Sequence, residues 1–318
     1  MRSAAALPFC LALGGCSTVQ SALSPAGEQA AQIAVLTWIL LGVLGGVLLI
    51  VLGALWLAIR GSDNARRLLS ADWAVSIGGI AFPAVVLTAL LAGGLWLMRP
   101  ATTDAALTIE VEGRQWWWRV GYVLDDGTRI EAANEIRIPV GQEVDFVLTS
   151  SDVIHSFWVP SLGGKLDMIP GRTNRLRLKA ERPGIYRGQC AEYCGGPHAL
   201  MAFEVVALPE ADFAAWRQAA GQPVSTVRES GFDVFAAAGC GSCHAIAGTS
   251  ANGRVGPDLS RVGERRMMAA ATMPTSEENI ARFIADGQRH KPGNLMPEFD
   301  VLTDEQTKTI ASYLARLK

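Results

Sequence analysis

Two stretches without a single charged side chain, residues 29–59 and 73–98, limit what this chain can become more than any other feature. Each exceeds the ~20 apolar residues that carry a helix across a bilayer. Trp38 and Trp56 stand near the ends of the first, about 27 Å apart at the helical rise. Trp73 and Trp96 stand near the ends of the second, and tryptophan at both ends fits the interfacial belt of a membrane helix. The link between them, RGSDNARRLLSAD, holds Arg60, Arg66 and Arg67, which places it on the cytoplasmic side. The pattern predicts a transmembrane helical hairpin, with helices over about 33–59 and 73–98 inside a segment 16–104, and both termini outside. A buried hairpin in a large soluble protein would need neither the tryptophans nor the arginine link.

The N-terminus agrees with an exported chain. Arg2 opens it, residues 4–13 form an apolar run too short to span a membrane, and LGGC follows at 13–16. LGGC resembles the box at which bacterial lipoproteins are cut, which implies a signal peptide over 1–15 and lipidation of Cys16; an ordinary signal cut slightly later is the alternative. The expected location is the bacterial plasma membrane, multi-pass, with the polar domains on the periplasmic face. A net charge of −2 leaves no basic excess to neutralise phosphates, which argues against nucleic acid as a partner.

Beyond Arg99 the chain turns polar. In IRIPVGQEVDFVLTS, Val144, Phe146 and Leu148 alternate with polar residues, the pattern of a half-buried strand. Regular Pro and Gly punctuation over 107–208 predicts an antiparallel β-sandwich, assigned to a domain at 105–208. Composition then shifts to Ala, Gln, Ser and Gly, which reads as a linker over 209–228; a flexible coil of that length reaches about 25 Å. A helical domain at 229–318 follows. Its last helix carries Ile310, Tyr313, Leu314 and Leu317 on one face, with Thr303 and Gln306 forming a capping box at its start.

Scarce ligand residues cluster in these two domains. QCAEYCGGPHALM, residues 189–201, holds Cys190, Glu192, Cys194, His198 and Met201. An upstream histidine, His155, lies in DVIHSFWVP. A single-copper site in a β-sandwich uses two His, one Cys and a weak Met; here a second cysteine is added. Two thiolates can bridge two copper ions, each ion taking one histidine, with Met201 and a backbone carbonyl as weak ligands. A disulfide between Cys190 and Cys194 is the alternative in an exported protein, but it explains neither His198 nor Met201.

The motif C-x-E-x-C-x-x-x-H-x-x-M, with the upstream DVIHSFWVPSLGGKLDMIPGR, resembles the dinuclear copper A centre of cytochrome c oxidase subunit 2. That resemblance implies a cupredoxin-like sandwich. It implies copper ligands His155, Cys190, Cys194, His198 and Met201, with the Glu192 carbonyl as the sixth and the Glu192 side chain on a magnesium ion at the border with the catalytic subunit. In GRQWWWRVGY, it makes Trp116 the residue that passes electrons to the copper site; runs of tryptophan otherwise pack cores, the role left to Trp117 and Trp118. This chain departs from the family at Trp117, where tyrosine is usual, and at Arg119. The family's proton-channel glutamate is replaced by Ser70, with Asp72 adjacent.

CGSCH at 240–244 is the attachment pattern for a c-type haem. Cys240 and Cys243 would form the thioethers and His244 the iron ligand. Met296, in GNLMPEF before the last helix, is the expected sixth ligand, and methionine there raises the potential. GPDLSRVGER resembles the loop after the haem motif in small cytochromes c, which implies an all-α class I cytochrome c domain. A zinc or redox CxxC leaves His244 and Met296 unexplained. Met267, Met268 and Met273 lack the context of Met296, and His290 is read as a surface or haem-edge residue.

Together these segments resemble subunit 2 of a cytochrome c oxidase with a fused cytochrome c, as in caa3-type oxidases. The resemblance implies an electron-transfer subunit of a proton-translocating respiratory complex. Its donor would be a cytochrome c or the upstream respiratory complex. Its acceptor would be the haem–copper site of subunit 1, where oxygen becomes water, with further oxidase subunits around it. The rivals are the input subunit of a copper A nitric oxide reductase and a copper-delivery protein. The latter has no use for Met201, a haem or two membrane spans. A quinol oxidase subunit lacks the copper ligands.

Overall fold

Uncharged sequence folds as uninterrupted helix. The computed structural model describes residues 20–99, 105, 107–124, 127, 129–222 and 230–318; Cys16 and the proposed signal peptide lie outside the described residues. Two helices, Glu28–Arg60 and Asp72–Leu97, are long and apolar enough to cross a membrane. The first starts at Glu28 because the helix-breaking Pro25 and Gly27 lie just before it. Both are apolar around their whole circumference, with Trp38, Leu49, Ile80 and Trp96 all exposed, the character of a helix that faces lipid. The second contains a π-helical turn at Ile77–Ala81 just ahead of Pro83, whose missing N–H leaves the ladder incomplete there. The helix Asp63–Leu69 between them is capped by the Ser62 hydroxyl, which accepts from the Ala65 N–H at 3.4 Å. Ser70 caps its other end and Asp72 opens the next helix.

Ten strands build the sandwich: β1 (Leu107–Arg114), β2 (Trp117–Val123), β3 (Arg129–Ala133), β4 (Glu135–Pro139), β5 (Val144–Ser150), β6 (His155–Trp158), β7 (Leu166–Met168), β8 (Asn174–Leu178), β9 (Gly184–Cys190) and β10 (Ala202–Leu208). They form two five-stranded sheets, β3-β2-β1-β5-β8 and β4-β10-β9-β6-β7. The sandwich is mixed, not wholly antiparallel as expected: β1 pairs with β5 and β4 with β10 in parallel. Alternating burial reveals which face a strand turns inward but not its direction. Here the chain crosses to the second sheet at β4 and returns beside β1 at β5. Val144, Phe146 and Leu148 are fully buried, as their alternation requires, and Phe157 stacks on Phe203 at 4.6 Å.

The expected linker is largely helix. Glu210–Ala220 is helical and packs on the sandwich through Trp216 and Ala220, with Phe213 buried against Trp216. The ring of Trp216 meets Tyr122 at 5.1 Å and lies under the Arg137 guanidinium at 5.2 Å. Two aromatics three apart among alanines suffice for an apolar stripe, a signal that the shift in composition hid.

The C-terminal domain is helical, with Ser230–Ala237, Glu277–Ala285, Gly287–His290 and Asp304–Arg316 around a core of Phe235, Ile246, Ile280, Ile310 and Leu314. The capping box at Thr303 and Gln306 is formed. Its first and last helices touch at Gly231, where a Cβ would lie 2.4 Å from the Cβ of Tyr313. This domain docks on the sandwich. The Arg266 N–H donates to the Glu135 carboxylate at 2.8 Å and the Ala202 N–H to the Ala270 carbonyl at 3.2 Å. Ala269, Ala270 and Ala271 are all left-handed, with φ of 52°, 61° and 56°, unusual for residues bearing a Cβ.

Candidate metal centres

The cysteine-rich stretch lies between the end of β9 and the start of β10, against the first residue of β6. His155, Cys190, Cys194 and Met201 are buried and His198 half-buried. The Cys190 and Cys194 sulfurs lie 3.8 Å apart as free thiols, too far for the ~2.05 Å of a disulfide. Each sulfur faces one imidazole: Cys190 Sγ is 3.8 Å from His155 Nδ1, and Cys194 Sγ is 3.5 Å from His198 Nδ1. Met201 Sδ is 3.7 Å from Cys194 Sγ, and the Glu192 carbonyl 3.1 Å from Cys190 Sγ. All six expected ligand groups therefore converge, and the sulfurs and imidazole nitrogens among them are the soft and borderline donors that suit copper, with the Glu192 carbonyl a harder, weak addition.

The electrostatics follow from the crowding. The Cys190 thiol is pushed down to about 4, first by the hydrogen bond from Cys194 and then by that from His155. Cys194 is pushed up by its hydrogen bond with Cys190 and by burial. Burial pulls the His155 pKa down, but its bonds to Cys190 and Asp152 outweigh this and leave it raised.

Asp152 is a functional residue that the sequence reading missed. Its carboxylate lies 2.8 Å from His155 Nε2, while Nδ1 faces the sulfurs. A carboxylate behind a ligating histidine fixes its tautomer and ring orientation. The signal was present in DVIH, an acidic residue three before the histidine. Asp152→Ala should lower copper affinity of the site by roughly 10–100-fold, the usual cost of losing such a partner; copper titration against a chelator measures it, and unchanged affinity contradicts the assigned role.

Trp116 sits at the rim of this site, partly buried, and its indole N–H donates to the Cys194 carbonyl at 3.0 Å. Gln115 donates to the same carbonyl at 2.8 Å. Gly196 permits the close approach, since a Cβ there would lie 2.9 Å from Trp116 Cζ2. Trp118 is wholly buried against Phe157 and Phe203, and Trp117 lies under Arg114 at 5.9 Å.

In the helical domain, Cys240 and Cys243 are free and half-buried at a short 3-10 turn. The Pro257 carbonyl lies 2.7 Å from His244 Nδ1. With Nδ1–H donating there, Nε2 is left as the lone pair for iron. Burial holds the His244 pKa down, which keeps the imidazole neutral as a ligand must be. Met296 packs partly buried on the core of this domain. Met267 and Met268 form a short strand paired with Met273 and Pro274.

A sandwich with a two-cysteine, two-histidine, one-methionine pocket, joined to a helical domain with a covalent-haem motif, defines an electron carrier. The family model for "Cytochrome C oxidase subunit II, periplasmic domain" matches residues 123–208, and that for "Cytochrome c" matches residues 229–318. Cytochrome c oxidase subunit 2 of Alkalihalophilus pseudofirmus is 33% identical over 97% of this chain and 94% of that protein. The same subunit of Bacillus sp. (strain PS3) is 34% identical over 75% of this chain and 70% of its own. The crystal structure of the periplasmic domain of subunit II of cytochrome oxidase from Bradyrhizobium japonicum is 34% identical, covering 38% of this chain and 96% of that one at a TM-score of 0.36. The chain belongs to the cytochrome c oxidase subunit 2 family, in a form that carries a C-terminal cytochrome c domain.

Proposed function

We propose that this chain receives electrons at its cytochrome c domain and delivers them through its sandwich to the catalytic subunit of the oxidase. As a family member with both domains, it is an electron-transfer subunit of a haem–copper terminal oxidase. The observation that carries the route is the docking of the cytochrome domain beside Trp116, itself hydrogen-bonded to the loop of Cys194.

Cys190 and Cys194 would bridge two copper ions, with His155, His198, Met201 and the Glu192 carbonyl completing the shells. Cys240 and Cys243 would hold the haem, and His244 and Met296 its iron, in a class I arrangement. When bound, these groups accept and release single electrons without needing a substrate in this chain. Asp152 and the Pro257 carbonyl orient the two histidines, and Trp116 bridges the domains. The Glu192 carboxylate, which accepts from the Tyr193 N–H at 3.2 Å, would serve a magnesium ion at the border with subunit 1.

The two apolar helices would form the transmembrane hairpin of a bacterial plasma-membrane protein, with the sandwich and cytochrome domain on the periplasmic side. Cys16 would be the lipidated N-terminus after removal of residues 1–15. The donor would be a soluble cytochrome c or the upstream respiratory complex.

Isolation of the tagged chain from native membranes should bring down a haem–copper subunit 1 and consume oxygen when a cytochrome c donor is supplied. Consumption of nitric oxide without oxygen uptake would replace this reading with the nitric oxide reductase one.

A further inference from the structure

Lys291 is 4% exposed, yet no ion pair among the described residues involves it. It belongs to the loop of the cytochrome domain that ends at Met296. Its ammonium crosses to the sandwich and donates to the Trp116 carbonyl at 2.6 Å, with the Ala269 carbonyl at 3.4 Å. A buried lysine without a carboxylate is costly, so its placement calls for a reason.

The bonds on either side supply one. The Lys291 carbonyl accepts from Asn294 Nδ2 at 2.8 Å, and Asn294 Oδ1 accepts from the Met296 N–H at 2.9 Å. On the sandwich side, Trp116 donates to the Cys194 carbonyl at 3.0 Å. An unbroken series of hydrogen bonds and covalent links thus runs from Met296 through Asn294, Lys291 and Trp116 to Cys194. Nearby, Gly293 at φ +82° lies so close to the sandwich that a Cβ would be 3.2 Å from Pro197 Cδ, so the loop has no room to shift inward.

We propose that Lys291 is a positioning residue for electron transfer between the two domains, clamping the Met296 loop onto the backbone of Trp116. The proposal rests on the reading that electrons pass from the cytochrome domain to the sandwich. A tunnelling electron loses less over bonded contacts than across a gap, so the clamp acts by holding the gap closed. Trp116 carries the electron; Lys291 sets its distance from the donor.

The test uses the assembled oxidase. Flash photoreduction of the haem, followed at the copper band, should show transfer slowed about tenfold or more in Lys291→Met, since roughly an ångström of misplacement is worth up to ~10²-fold. The haem potential and the copper spectrum should stay as in wild type, and Lys291→Arg, which keeps donors of similar reach, should recover most of the rate. Wild-type transfer with an unslowed Lys291→Met overturns the clamp alone; absence of haem-to-copper transfer in wild type overturns the underlying route as well. A second measurement needs no variant. Acetylation of the native chain should label Lys291 at least about tenfold more slowly than the exposed Lys308, because labelling requires the domains to part. Equal labelling of the two lysines overturns the clamp even if the variant fails to accumulate.

Discussion

Cys194→Ser should reduce the copper bound per chain by half or more and abolish the spectrum of an electron shared between two copper nuclei. Cys194 is the hub of the pocket. Its sulfur lies 3.8 Å from Cys190 Sγ, 3.5 Å from His198 Nδ1 and 3.7 Å from Met201 Sδ. A serine hydroxyl is a hard, poorly ionised ligand and cannot bridge as a thiolate does. The substitution therefore disconnects His198 and Met201 together and leaves Cys190 with His155 and the Glu192 carbonyl. Loss of affinity at the second ion should exceed the ~10–100-fold that outer partners carry. Metal analysis and electron paramagnetic resonance of the purified oxidase decide it: the hyperfine pattern should change from that of a shared electron to that of a single nucleus, or vanish. Full copper content with an unchanged spectrum would show that Cys194 does not bridge. Cys190→Ser should be at least as damaging, since it removes the sulfur that faces His155 Nδ1 at 3.8 Å, the Glu192 carbonyl at 3.1 Å and Cys194 Sγ at 3.8 Å.

That pocket was legible because soft ligands are rare and their spacing is nearly sufficient. Cys190, Glu192, Cys194, His198 and Met201 lie on one loop, so local sequence alone brings them within reach. His155 came from the strand pattern around it, and the structure pairs β6 with β9, setting Phe157 opposite Cys190. What stayed hidden depended on distant pairing. The parallel partners of β1 and β4 are chosen by the crossover between sheets, which alternation cannot report. The helix Glu210–Ala220 was read as linker because its stripe is only Phe213, Trp216 and Ala220, and its stability comes from Tyr122 and Arg137 elsewhere in the chain. Asp152 and Pro257 act on the ring nitrogens turned away from the metal and are not themselves ligands, so the ligand pattern passes over them, although the acidic residue three before His155 stood in DVIH. Lys291 reads as one more surface lysine until the domain beneath it is known.

Trp116→Phe should slow transfer from haem to copper by about tenfold or more while leaving both metal spectra in place, the size of effect expected when a contact in the path is opened by roughly an ångström. The indole N–H is the atom that reaches the copper loop, at 3.0 Å from the Cys194 carbonyl. Phenylalanine keeps an aromatic ring over Gly196 but has no donor. The loop itself should hold its shape, because Gln115 still donates to the same carbonyl at 2.8 Å; that is why the copper spectrum should not move. Trp118→Phe provides the contrast. Trp118 is wholly buried in the sandwich core, 6.2 Å from the His155 ring and packed edge-on to Phe203 at 5.0 Å, so its truncation should lower stability and affect the rate less. Flash photoreduction with detection at the copper band separates the two, and thermal unfolding of the same preparations records the stability change. Equal rates in wild type and Trp116→Phe would remove the indole from the path. Transfer would then cross elsewhere between the domains, as where Gly293 meets Pro197 beside His198.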